Sequence, residues 1–191
     1  GAAQFLIGGD GGPPAGWEYN MVRFLEREGF DVSYCTNIDT HTNRSLLLGH
    51  KGFLSVGHDE YWSWEMRRNV TEGRDAGVCL GIFSANSCYW QIRLEKSLLT
   101  GDLNRTVVCY KFSPRDYQGD TTEDPLFHDG IPENDRMLTI TWRATLPGSS
   151  RVPAPEEQLF GTQYEFGADR VNAAMVCTNP NHWVFAGTGL A

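Results

Sequence analysis

Two short apolar runs, Phe53–Val56 and Val78–Phe83, flank a stretch with helical spacing over Glu65–Arg74, and this arrangement constrains the fold most. Each run is short enough for a buried strand, and the stretch between them is long enough for a crossover helix. Ser63 is placed to cap that helix, Glu65 falls in its first turn, and Ala76-Gly77 closes it. A strand, a helix and a second strand at this spacing form a βαβ unit, which implies parallel pairing. Gly57, at the end of the first run, permits a sharp turn into His58, Asp59, Glu60, Tyr61 and Trp62. In α/β proteins, side chains delivered beyond the carboxyl end of a parallel strand form sites. A capped turn with solvated charges would have the same composition, so the cluster alone does not decide.

The same reading extends along the chain. Gln4–Ile7 and Asp31–Cys35 are expected as further strands, and Trp17–Glu28 as a helix with an apolar stripe at Met21, Phe24 and Leu25. Leu46–Leu48 is expected as a short helix or turn. Arg105–Lys111, Met137–Trp142, Ala173–Cys177 and Trp183–Ala186 read as later strands, with Asn179–His182 a turn. Residues 112–135 are polar and rich in Pro and Asp, as in an insertion or lid. The expected fold class is α/β, a three-layer α/β/α domain with a mainly parallel sheet. It spans residues 1–191 as one domain, itself part of a longer chain.

Charge excludes several partners. The net charge of −8 is broken by no basic stripe, which argues against nucleic acid or an anionic membrane surface. Five Gly between Gly8 and Gly16 lack both the spacing and the Lys of a nucleotide-binding loop. Cys79 in Gly77-Val-Cys-Leu-Gly81 superficially matches a nucleophile turn but falls early in its strand, where an elbow nucleophile cannot sit. Cys35, Cys79, Cys109 and Cys177 lie in apolar runs and are expected as core thiols.

Five blocks carry a family resemblance: Trp17–Gly29, Gly57–Met66, Ser84–Arg93, Val108–Lys111 and His182–Leu190. Together they resemble the large (beta) subunit domain of N,N-dimethylformamidase and its relatives. The resemblance implies a fold like the class I glutamine amidotransferases (flavodoxin-like), without their Cys nucleophile. It implies hydrolysis of a small amide at a mononuclear ferric site held by two Tyr phenolates and a Glu. Carried over, the ligands are Tyr19, Tyr61 and Glu156, with Glu157 as the alternative carboxylate. His58, Glu60 and Asn86 would stand around the metal as catalytic donors and acceptors, and Glu60 or His58 would assist proton transfer. Hard oxygen donors suit Fe(III), and three protein ligands leave room for water and a carbonyl. Other domains or a small subunit, an oligomeric state and a cytoplasmic location are further expectations. The competing reading is a non-catalytic, amidotransferase-like binding or scaffolding domain.

All five cysteines should be free thiols, because no spacing pairs them or sets them around a metal. Thiol titration of the unfolded, unreduced protein should return five equivalents. A lower count would reveal a disulfide.

Overall fold

A computed structural model describes residues 17–111, 123–163 and 178–189. Helix α1 (Trp17–Arg27) is followed by an irregular segment, then helix α2 (Asn37–Thr42) and a 3-10 turn, Leu46–Gly49. Strand β1 (Gly52–Gly57), strand β2 (Tyr61–Ser63), helix α3 (Trp64–Asp75) and strand β3 (Cys79–Ser84) follow as the expected βαβ unit. Strands β4 (Trp90–Glu95) and β5 (Thr106–Val108) come next, and a short helix α4 (Glu157–Phe160) comes late. The described part is mixed α/β.

The central unit forms for local reasons. The Ser63 hydroxyl accepts the Met66 N–H at 3.1 Å, satisfying an otherwise orphaned donor at the start of α3. Gly57 takes φ +88°, a turn that a side chain would resist. Strands β1 and β3 pair in parallel with Gly57 opposite Ser84, so their carboxyl ends share one rim. Near the helix's end, Gly73 lets it approach Leu47, whose Cβ lies 3.2 Å from where a Cβ of residue 73 would stand.

The core sits between α3 and the later chain. Trp62, fully buried, contacts Phe53 and Phe160 edge-on at 6.5 and 5.6 Å between ring centroids. Leu47, Met66, Val70, Cys88, Trp142 and Leu159 complete this cluster. A second one gathers Leu138, Ile140, Ala144 and Leu146.

Several expectations require correction. Among the described residues the strands do not form one mainly parallel layer: β1–β3 is a two-stranded parallel sheet, and β2–β4–β5 is mixed, with β5 antiparallel. The three-layer, amidotransferase-like arrangement is therefore not what the described residues display, and β1 pairs there along one edge only. Asp31–Cys35 forms no strand, because it has no ladder partner among the described residues. Met137–Trp142 forms a 3-10 end and isolated bridge positions, Thr141 pairing with Trp90, rather than a strand. Asp124 explains the loss, since its carboxylate accepts both the N–H and the hydroxyl of Thr139 at 2.9 Å in place of a ladder. Trp183–Phe185 is a 3-10 turn capped by His182, not a strand.

Residues 123–135 form two 3-10 turns anchored by the buried Asp124. Cys35 and Cys79 are exposed rather than core, Cys109 is half-buried, and Cys88 is the buried one. Gln4–Ile7, Ala173–Cys177 and most of the polar excursion lie outside the described residues. Among the described residues, no helix is long and apolar enough to cross a membrane.

Trp62→Ala should lower unfolding stability by about 3–5 kcal/mol, through lost contacts and the cavity left behind. Leu98→Ala, at a 99% exposed side chain, should change it by less than about 0.5 kcal/mol. Urea unfolding of both variants checks the pair.

Candidate functional site

The rim where β1 and β3 end is held by backbone hydrogen bonds between two loops. Ala85 N–H donates to Gly57 O at 3.2 Å, Cys88 N–H to Asp59 O at 2.9 Å, and Trp90 N–H to Glu60 O at 2.9 Å. These bonds place residues 58–61 against residues 84–90, then hand both loops to the parallel pairing of β2 with β4, where Tyr61 faces Trp90. Asn86 and Cys88 take φ +53° and +54° within the second loop. Two strained non-Gly residues so close together mark a turn whose shape the surroundings enforce.

Asp59 is the hub. Its carboxylate accepts the Ser55 hydroxyl at 2.8 Å and the Asn37 amide at 3.2 Å, and its N–H donates to Ser84 Oγ at 3.1 Å. Burial raises its pKa above the ordinary carboxylate range against the pull of those hydrogen bonds. Glu18 adds to the rise, and one of its own oxygens is buried without a hydrogen-bond partner among the described residues.

Helix α1 carries Tyr19, whose ring lies under the Arg23 guanidinium at 5.5 Å. Tyr61 opens β2, and the Lys111 ammonium stands 5.0 Å from its ring centroid. Hydrogen bonding to Tyr61 holds the Lys111 pKa above its usual value, and the charge of Glu60 contributes. Lys111 arrives from the end of β5, in a left-handed conformation at φ +51°. Glu60 is half-buried, and among the described residues no hydrogen bond or ion pair engages its carboxylate. His58 is exposed on the same loop.

Glu156 is placed differently. It is 1% exposed, and Arg143 donates to both of its oxygens, Nε at 3.2 Å and Nη2 at 2.8 Å. As a metal ligand it would have to give up this bidentate pair, which a buried carboxylate needs. Glu157, at the start of α4, is exposed. Two phenols and a carboxylate are the hard donors that Fe(III) takes. In the chemistry of the donor set Glu60 offers an open carboxylate, whereas Glu156 would first have to leave Arg143. Among the described residues, no group of three or more His, Cys, Asp or Glu side chains is placed to hold a metal.

Cys88 lies fully buried beside this network, its Sγ 3.5 Å from Arg67 Nη1, and burial pushes its pKa up to about 12. A thiol so protonated is no nucleophile. The sequence reading passed over Lys111 and Asp59. Lys111 falls inside one of the resembling blocks, which was its available signal; nothing local distinguishes Asp59.

Polar side chains gathered where parallel strands end, with a strained loop beside them, are the arrangement in which α/β domains build their sites. Residues 5–191 match the family model for the N,N-dimethylformamidase beta subunit-like C-terminal domain, and the chain belongs to that family. No curated protein matches the chain.

A carboxyl whose pKa is raised on folding contributes stability below its unfolded value, near ~3.9 for Asp, and loses it as pH rises through the folded value. Lowering the pH from 7 toward about 4 should therefore shift the stability difference between wild type and Asp59→Asn in favour of wild type. Thermal melts of both proteins across that range provide the measurement. A difference independent of pH would show that Asp59 titrates normally.

Proposed function

We propose that this domain hydrolyses a small amide at the β1–β3 rim. The reading rests on family membership together with one observation: the Glu60 carboxylate and the Tyr61–Lys111 pair stand side by side at the strand ends. Iron, held by Tyr19, Tyr61 and Glu60, would supply a Lewis acid for the carbonyl and acidify a bound water. The choice of Glu60 over Glu156 is supported by the open carboxylate of the first and the Arg143 clamp on the second.

The chain's own groups divide the remaining work. Lys111, kept protonated, offsets negative charge developing on the substrate oxygen. His58, exposed at the mouth, carries a proton to the departing amine. Asn86 lends amide hydrogen bonds from the strained loop to orient the substrate. Asp59 fixes the loop through Ser55, Asn37 and Ser84 without touching substrate. A beta-subunit-like domain further suggests that other domains or a second kind of subunit complete the enzyme.

Protein purified without chelator should contain iron, show a visible phenolate-to-iron colour and release amine from a small formamide. Tyr61→Phe and Glu60→Gln should each lower iron affinity by about 100-fold or more, removing a ligand outright where even outer partners are worth 10–100-fold. Glu156→Gln should keep the colour while losing stability. If Glu156→Gln loses iron and Glu60→Gln keeps it, the carboxylate assignment is reversed. Full hydrolysis by iron-free protein would end the metal reading, and no hydrolysis with iron bound would favour the scaffolding alternative.

A further inference from the structure

On the far side of the Trp142 core lies a cleft of about 370 Å³, walled by Trp64, Trp142, Arg136, Arg151, Glu133 and Val152 among others. Arg151 is its unusual member. The residue is only 8% exposed, and among the described residues no carboxylate pairs with it. Its guanidinium donates from Nη1 to Ala144 O at 2.9 Å, and from Nη2 to Gln91 Oε1 at 3.0 Å and Trp142 O at 3.3 Å. A guanidinium has five N–H donors, so two remain without a described partner.

A second buried cation, Arg67, sits 5.0 Å from the Trp142 ring centroid, and Arg151 sits 5.9 Å from it. Burial, reinforced by Arg67, lowers the Arg151 pKa to about 10. Buried charges are normally paired, and an unpaired one is costly. A further buried donor is also unsatisfied: Trp142, 3% exposed, has an indole N–H with no hydrogen-bond partner among the described residues.

The rest of the cleft is organised toward the same feature. Gln91, fully buried, donates to the Arg136 carbonyl at 2.5 Å while accepting from Arg151, so one side chain fixes both arginines on the wall. The exposed Arg136 guanidinium lies 5.0 Å from the Trp64 ring centroid. The site thus combines an unpaired buried guanidinium, a second guanidinium at the mouth, an unpartnered indole N–H and aromatic walls.

We propose that this cleft binds a small carboxylate carrying an apolar or aromatic body, with Arg151 and Arg136 taking the anion and Trp64 and Trp142 flanking the body. The exposed Arg136 guanidinium can meet a planar carboxylate through parallel N–H donors, while Arg151 adds its charge and its two remaining N–H groups singly. Glu133 at the mouth disfavours a dianion such as phosphate, which selects the singly charged class. The site is separate from the β1–β3 rim and does not depend on the amidase reading.

The test is a titration of the 15N-labelled full chain with benzoate, with benzamide as the neutral isostere and inorganic phosphate as the competing anion. The indole N–H resonance of Trp142, assigned with Trp142→Phe, should move saturably with benzoate and hardly at all with benzamide. Arg136→Gln changes an exposed side chain and should leave folding intact while weakening benzoate binding about tenfold, the worth of one charge-assisted contact. Arg151→Lys keeps the charge but removes the remaining guanidinium N–H donors, and should weaken binding at least as much. If that variant fails to fold, Arg136→Gln alone decides. Equal shifts with benzamide, phosphate binding as tight as benzoate, benzoate affinity unchanged by Arg136→Gln, or no saturable shift would each overturn the proposal.

Discussion

The structure depends on the hydrogen bonds that join the loop after β1 to the loop after β3. Parallel pairing sets Gly57 beside Ser84, and the bonds from Ala85, Cys88 and Trp90 then carry that alignment into a second sheet. Without them, β2 and β4 would have no reason to start in register, and Tyr61 would not face Trp90. The polar rim and the aromatic core lie on either side of the same few peptide groups. Burying Trp62 therefore also fixes where Glu60 and Tyr61 emerge, which links packing directly to chemistry.

A chain with net charge −8 draws several arginines into its interior. Arg67 and Arg151 flank Trp142, Arg143 clamps Glu156, and Arg93 holds the fully buried Asp124 at 3.1 and 3.3 Å. The Arg93 contact ties β4 to the segment that returns after the polar excursion, and Arg67 donates to Pro155 O at 2.8 Å, tying α3 to the turn before Glu156. Long guanidinium side chains thus do what further strands would do in a larger sheet: they bridge elements far apart in sequence, at a desolvation cost that their hydrogen bonds must offset.

This division explains what could be read in advance. The unit from β1 through α3 to β3 was legible because each part is specified locally, by an apolar run, a Ser cap or a turning Gly. The rim followed from parallel pairing. Asp31–Cys35 and Met137–Trp142 misled because strand formation depends on a distant ladder partner; one run has none among the described residues, and Asp124 diverts the other. At the site, His58, Glu60, Tyr61 and Asn86 could be placed from local pattern. Lys111 and Arg143 act across the tertiary structure, so neither the ammonium on Tyr61 nor the clamp on Glu156 was written in any window of sequence.

Cys88 turns one of these constraints into an internal gauge. Its thiol is sealed beneath the loop that carries the strained Asn86, and its high pKa leaves almost no thiolate at neutral pH. Alkylating reagents can reach it only when its packing against the core opens, whereas Cys35 and Cys79 stand exposed. The contrast in labelling speed among thiols of one molecule therefore measures how often the rim opens, independently of whether the protein is turning over a substrate.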